Sequence, residues 1–90
     1  MGSVAVGDNN RAFIIGELSC NHLNNYELAV ESIHKMKECG ADCVKLQTAK
    51  PDSITMESDK PDFVIKGDNL WKGKTLFDLY KEAHTPWEWH

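Results

Sequence analysis

The stretch "FIIGELSCNHLNNYELAVESIHKMKECGADCVKLQT", residues 13–48, decides the predicted fold. It opens with a short apolar run at residues 13–18, which is typical of a strand bounded by polar residues. A second strand is predicted in "DCVKLQT", residues 42–48. Between the two runs lies a helical pattern, so the sequence predicts a βαβ unit with parallel strands and a right-handed crossover.

The helix between these strands has start and stop signals of its own. Asn24 is the predicted N-cap, and Glu27, three residues later, completes a capping-box pattern. Gly40 stands where a glycine ends many helices. The apolar residues of the segment recur at helical spacing and predict one buried stripe. The stripe consists of Tyr26, Ala29, Val30, Ile33 and Met36.

The rest of the chain is less regular. Residues 1–12 read as a lead-in, and residues 49–74 read as a long excursion with a short hairpin around "FVIKG". Thr75 with Asp78 then predicts the capped start of a second helix, "LFDLYKEAH". In the final "TPWEWH", Thr85 is expected to cap a further helix whose first residue is a proline.

Polar residues at the strand ends predict an active site. Because side chains alternate along a strand, Glu17 on the first strand and Lys45 and Gln47 on the second are expected to lie on one face. The carboxyl ends of parallel strands are where α/β enzymes place their sites. The alternative is that each charged residue is merely exposed at a strand end, and this stays open for either residue taken alone.

Composition excludes several classes of protein. With 41% apolar and 27% charged residues, the 90-residue chain has the balance of a globular domain. A formal charge of −4 gives no support for a nucleic-acid or acidic-membrane partner, and no apolar run approaches the length of a membrane span. Three cysteines, an odd number, argue against a disulfide framework and for a reducing, cytoplasmic environment.

The quoted stretch resembles the opening of the sialic-acid synthase family. Members of this family carry GE-(I/L)-x-x-NH followed by a GA-(D/E)-x-(V/I)-K-x-QT strand, and the chain has "GELSCNH" and "GADCVKLQT". The later "SDKPDFVIKGDNLWKGKTLFDLYKEAHTPWEWH", residues 58–90, is similar more narrowly to the branch of pseudaminic acid synthases. The resemblance covers nearly everything after residue 11.

The resemblance implies an α/β fold, a (β/α)₈ TIM barrel followed by an antifreeze-like domain, assembled as a homodimer. Residues 13–90 would hold only the first βα units of that barrel, and the antifreeze-like domain would be absent. The chain alone is therefore expected to be inactive, with activity confined to a full-length parent in which the reading frame continues beyond His90.

For function, the resemblance implies condensation of phosphoenolpyruvate with an acetamido sugar, 2,4-diacetamido-2,4,6-trideoxy-L-altrose in the pseudaminic branch. Lys45 matches the lysine that contacts phosphoenolpyruvate, and Glu17 matches the acid near the sugar and metal. Asn21, His22 and Gln47 match motif positions assigned to substrate binding. The divalent metal, Mn²⁺, Mg²⁺ or Co²⁺, would be bound by histidines outside this chain, which itself supplies no metal ligand.

Two other functions remain as alternatives. One is a synthase for a different nonulosonic acid, N-acetylneuraminate or legionaminate, which would differ in a sugar pocket outside these residues. The other is a non-enzymatic α/β binding module, which a stop codon directly after His90 would favour.

Overall fold

Two parallel strands joined by a helix form the first half of the chain. The computed structural model describes residues 1–90. Strand β1 spans Ile15–Ser19, helix α1 spans Tyr26–Glu38 and strand β2 spans Cys43–Leu46. The strands pair in parallel, with Ile15 opposite Cys43. The predicted βαβ order and the parallel pairing are thus confirmed.

Both strands differ in their bounds from the prediction. β1 begins at Ile15 and continues to Ser19, and β2 is limited to four residues ending at Leu46. The prediction that Gln47 belongs to β2 is therefore wrong. The reason is tertiary: the Gln47 carbonyl accepts a hydrogen bond from the Thr85 N–H at 2.9 Å, so its backbone has a partner outside the ladder.

The cap of α1 is Asn25, and the prediction of Asn24 with Glu27 is wrong. Asn25 has an extended backbone, and its side chain accepts a hydrogen bond from the Leu28 N–H at 2.9 Å. Asn24 has a φ of 54°, which is left-handed and incompatible with the extended conformation of an N-cap residue. With the cap one residue later, Glu27 is no longer at the position that completes a capping box.

Helix α1 packs on one face of the two-stranded sheet. A Cβ added to Gly16 would lie 3.1 Å from the Sδ of Met36, so the absence of a side chain at residue 16 allows the helix to approach β1 closely. Leu18, two residues along the same face, and Ala29 of α1 are the buried apolar residues. Tyr26, the first residue of α1, is 50% exposed, so its predicted place in the buried stripe is wrong.

The second half of the chain contains helix α2, Leu76–Ala83, and three short 3₁₀ segments at Pro51–Ser53, Pro61–Phe63 and Trp87–Trp89. The predicted cap of α2 is confirmed, because Thr75 Oγ1 accepts from the Asp78 N–H at 3.1 Å. The predicted hairpin is reduced to a single antiparallel bridge between Val64 and Thr75.

The predicted helix start at Thr85 is wrong. Pro86 precedes a 3₁₀ turn without a side-chain cap, and Thr85 is fully buried, with its N–H bonded to Gln47. Burial and a backbone partner therefore replace the capping role. The chain divides into two compact units, Met1–Leu46 and Gln47–His90, and the candidate site lies in the first.

Candidate active site at the ends of two parallel strands

Glu17 and Lys45 form an ion pair across the two strands. The two residues are register partners, and Lys45 Nζ donates to Glu17 Oε1 at 2.7 Å. Their side chains therefore lie on the same side of adjacent parallel strands, as the alternation predicted. About half of each side chain is exposed, so the pair is accessible to a ligand.

A β-bulge follows Glu17 and brings a hydroxyl to the pair. The register passes from Glu17 opposite Lys45 to Ser19 opposite Leu46, so that Leu18 is the extra residue of β1. Ser19 Oγ donates to Glu17 Oε1 at 2.6 Å. Sequence analysis did not single out Ser19, although its spacing of two from Glu17 is the spacing of side chains that share a strand face.

These donors keep Glu17 ionised. The hydrogen bond from Lys45, then the one from Ser19, and then the positive charge of Lys45 lower the pKa of the Glu17 carboxyl from its ordinary value. Glu17 at neutral pH is therefore a hydrogen-bond acceptor rather than a proton donor.

The pair can bind two kinds of group at once. The Lys45 ammonium has three donors, and its bond to Glu17 engages one of them, which leaves donors for a carboxylate or phosphate. Glu17 presents its second oxygen, Oε2, to a hydroxyl or amide N–H. The arrangement can therefore bind an anion through Lys45 and a hydrogen-bond donor through Glu17.

The two remaining motif residues of the β1–α1 loop have different surroundings. Asn21 is exposed, and its N–H donates to the Leu18 carbonyl at 2.9 Å. His22 is fully buried; its Nδ1 accepts from the Asn24 N–H at 3.1 Å and its carbonyl accepts from the Asn25 N–H at 2.8 Å. His22 thus stabilises the loop from within. The short motif "NH" did not predict this burial.

Gln47 is the first residue of the second unit. It is partly buried, and its carbonyl is bound by the Thr85 N–H. Of the five predicted site residues, the structure joins Glu17 and Lys45 in direct contact and places Asn21 and His22 in the loop that follows β1.

A second ion pair, absent from the sequence prediction, lies at the opposite ends of the same strands. Arg11 donates to both carboxylate oxygens of Asp42, with Nη1 at 2.7 Å from Oδ2. The Ile14 N–H also donates to Oδ2, at 2.9 Å. The bonds from Arg11 and then from Ile14 hold the pKa of the Asp42 carboxyl far below its ordinary value. These bonds join residues that precede β1 to Asp42, which directly precedes β2.

Comparison with known proteins places the chain in a family. A model of the NeuB family matches residues 32–90. The pseudaminic acid synthase of Campylobacter jejuni is 52% identical over 80 residues, which are 89% of this chain and 23% of that protein. The chain belongs to the NeuB family. The resemblance inferred from the sequence motifs is thereby confirmed.

Two further relatives of this NeuB-family chain differ in their degree of similarity. The pseudaminic acid synthase of Helicobacter pylori is 49% identical over 77 residues, covering 86% of the chain and 22% of that protein. The N,N'-diacetyllegionaminic acid synthase of Legionella pneumophila is 32% identical over 85 residues, covering 93% of the chain and 23% of that protein. The chain thus spans less than a quarter of the length of these relatives.

The NeuB-family chain contains no group of three or more His, Cys, Asp or Glu side chains that could hold a metal ion. Its three cysteines are free, and burial raises the pKa of the Cys20 thiol, which keeps this sulfur protonated. Neither helix is long and apolar enough to cross a membrane.

Proposed function

We propose that this sequence supplies the first strands of a pseudaminic acid synthase. The enzyme would condense phosphoenolpyruvate with 2,4-diacetamido-2,4,6-trideoxy-L-altrose to give pseudaminic acid and phosphate. The observation that carries the proposal is the 52% identity to one pseudaminic acid synthase over 89% of the chain, against 32% to the legionaminic acid synthase. The Glu17–Lys45 pair supports an enzyme over a binding module, because it joins an anion-binding cation to an ionised acceptor at the strand ends.

The proposal includes a (β/α)₈ barrel for the whole enzyme. A parallel strand pair connected by a helix is the repeating unit of that architecture, and its catalytic residues lie at the carboxyl ends of the strands. β1, α1 and β2 have this arrangement. Further strands would pair with the two free sheet edges and would cover the exposed side chain of Ile15.

The reaction forms one carbon–carbon bond, and at the carbon that carries the phosphate ester it replaces the bond to the ester oxygen with a bond to the oxygen of water. The methylene carbon of phosphoenolpyruvate attacks the aldehyde carbon of the open-chain sugar, and the aldehyde oxygen becomes a hydroxyl. Water adds to the carbon that carried the phosphate ester, and phosphate leaves with the ester oxygen. Loss of phosphate leaves the oxygen from water as the keto group at that carbon, and the two protons of that water go to the former aldehyde oxygen and to the released phosphate.

Each residue of the pair has a role in this reaction. Lys45 would bind the carboxylate or phosphate of phosphoenolpyruvate through the ammonium donors not bonded to Glu17. Glu17, kept ionised by Lys45 and Ser19, would accept a hydrogen bond from the sugar and orient its aldehyde toward the methylene carbon. Asn21, exposed in the adjoining loop, would contribute a polar contact to the substrate.

A divalent metal and a homodimeric assembly are proposed for the whole enzyme only. The described residues do not form a metal site, so the metal ligands of the whole enzyme would come from other parts of that protein. Gln47 is proposed as a further substrate contact on its motif position alone.

The test is a phosphate-release assay on the complete protein that carries this sequence. The altrose derivative should support turnover with phosphoenolpyruvate, and the sugar precursors of N-acetylneuraminate and legionaminate should be used at least about 10-fold less efficiently, a difference of roughly 1.4 kcal/mol. Preference for either of the other sugars would reassign the product, and turnover with none would contradict the synthase function.

A chimera provides an independent test of this segment. Residues of this chain would replace the matching 80 residues of the Campylobacter jejuni synthase. The chimera should retain activity, and the same chimera with Lys45→Ala should show a KM for phosphoenolpyruvate raised by about 10- to 100-fold. A chimera that folds without activity would show that these residues do not form the first part of such a site.

A further inference from the structure

Ser19 has a backbone conformation that its residue type does not favour. Its φ is 53°, in the left-handed region that glycine adopts without steric cost and that serine seldom occupies. The residue lies at the bulge that ends the regular pairing of β1. Left-handed non-glycine residues are found preferentially where a side chain is needed at a functional site.

The Ser19 side chain acts on one atom of the candidate site. Its hydroxyl donates to Glu17 Oε1 at 2.6 Å, and Lys45 Nζ donates to the same oxygen at 2.7 Å. Both donors therefore converge on Oε1, and Oε2 of Glu17 receives no hydrogen bond from the chain. Two donors on one oxygen restrain the orientation of the carboxylate and leave Oε2 able to accept a hydrogen bond from a ligand.

We propose that Ser19 is a positioning residue for Glu17, which fixes the carboxylate so that Oε2 accepts a hydrogen bond from a hydroxyl or amide N–H of the sugar. This inference rests on the proposed function for the identity of the ligand. Ser19 itself does not touch the substrate. Its hydroxyl also satisfies part of the hydrogen-bonding capacity of the Glu17 carboxylate. The Lys45 ammonium is then more available to an anionic second substrate.

Two substitutions separate this role from a structural one. Ser19→Gly removes the hydroxyl and relieves the left-handed strain, whereas Ser19→Ala removes the hydroxyl and keeps the strain. If the hydroxyl positions Glu17, the kcat/KM for the sugar in the complete protein should fall by about 10-fold in both variants. The Tm of the Ser19→Gly variant should equal or exceed that of the parent.

Ser32→Ala is the matched control. The Ser32 hydroxyl donates to the Leu28 carbonyl within α1 at 2.7 Å and does not contact the pair. Its removal should leave kcat and KM unchanged. Unchanged kinetics in both Ser19 variants, or a loss confined to Ser19→Ala, would overturn the proposal, because the latter would trace the effect to the backbone.

A titration of Glu17 tests the same role without activity. Lys45 and Ser19 are the groups that donate to Glu17, so loss of the Ser19 hydroxyl should raise the pKa of Glu17 toward its ordinary value. In the complete protein with isotope-labelled glutamate, NMR should show this rise in both Ser19 variants and not in Ser32→Ala. An unchanged Glu17 titration would overturn the positioning role.

The two readouts distinguish this proposal from the proposed function. If no candidate sugar is turned over by the parent, the synthase function fails, and the Glu17 titration alone decides whether Ser19 positions the carboxylate. If the parent is active, a kinetic loss shared by Ser19→Gly and Ser19→Ala together with a raised Glu17 pKa supports the positioning role.

Discussion

At the scale of single residues, Lys45 is the cation of the candidate site. It is about half exposed and bonded to Glu17 at 2.7 Å, so its ammonium can bind an anion without leaving the pair. We expect Lys45→Ala in the complete protein to raise the KM for phosphoenolpyruvate by about 10- to 100-fold, through loss of a charge-assisted contact. Steady-state kinetics with each substrate varied in turn would measure this.

Lys66→Ala is a suitable control, because Lys66 is an exposed lysine of the second unit whose side chain has no hydrogen-bond partner. It should leave both KM values unchanged. If Lys45→Ala impaired only the use of the sugar, the proposed role of Lys45 would change from binding the anion to binding the sugar.

His22 contributes hydrogen bonds to the loop that follows β1. It is fully buried, and Nδ1 and the backbone carbonyl accept from the Asn24 and Asn25 N–H groups, respectively. His22→Ala removes the first acceptor and keeps the second. Amide hydrogen exchange in the complete protein should therefore accelerate about 10-fold at Asn24, the loss of roughly one neutral hydrogen bond, and less at Asn25.

His22→Asn supplies a side-chain oxygen near the position of Nδ1 and should restore part of the protection at Asn24. His34→Ala, a change at an exposed histidine of α1, should leave exchange in the loop unaltered. Equal acceleration of both amides in His22→Ala would mean that the whole loop opens, and that the Nδ1 bond has no separate effect.

At the scale of elements, Asp42 holds the starts of β1 and β2 together. Its carboxylate binds the Arg11 guanidinium and the Ile14 N–H, and its own N–H donates to the Ile14 carbonyl at 2.9 Å. The pKa of Asp42 is lower in the folded chain than in the unfolded chain, which binds the proton more readily. The stabilisation is therefore fully present above the ordinary carboxyl pKa of about 4 and is lost as the pH falls below it.

We expect Asp42→Asn to lower the Tm of the complete protein at neutral pH. The difference in Tm from the parent should be constant above about pH 5 and should shrink as the pH falls below about 4. Asp68→Asn, at an exposed aspartate in the second unit, should show no such trend. A Tm difference that is independent of pH would show that the negative charge of Asp42 does not account for its contribution to stability.

At the scale of the whole molecule, the 90-residue chain has little apolar burial. Leu18 and Ala29 are its buried apolar residues, whereas ten large apolar side chains are exposed, among them Ile14, Ile15 and Leu70. Helices of this length gain most of their stability from tertiary packing. We expect the isolated chain to unfold over a broad temperature range and to release no phosphate from phosphoenolpyruvate.

Circular dichroism during heating would test the folding prediction, and a phosphate-release assay with added manganese would test the activity prediction. A sharp cooperative transition would mean that these residues suffice as a domain. Turnover by the isolated chain would mean that residues outside it are dispensable for the reaction, and would contradict the roles proposed for the whole enzyme.

The sequence by itself determined the strand–helix–strand order, the cap of α2 at Thr75 and the placement of Glu17 and Lys45 on one face of the two strands. These features follow from local periodicity: alternation along a strand, the helical repeat and the hydrogen bonds of a cap all act within a few residues. The chemistry proposed for the site comes from the family motifs around Glu17 and Lys45.

The tertiary structure alone decided which asparagine caps α1, where β2 ends, and that His22 is buried. It also decided that Ser19 reaches Glu17 and that Arg11 reaches Asp42. A left-handed backbone excluded Asn24 as the cap, and a carbonyl bonded to Thr85 left Gln47 outside the ladder. Such contacts join residues through backbone conformation and distant partners, which the spacing of residue types along the chain does not encode.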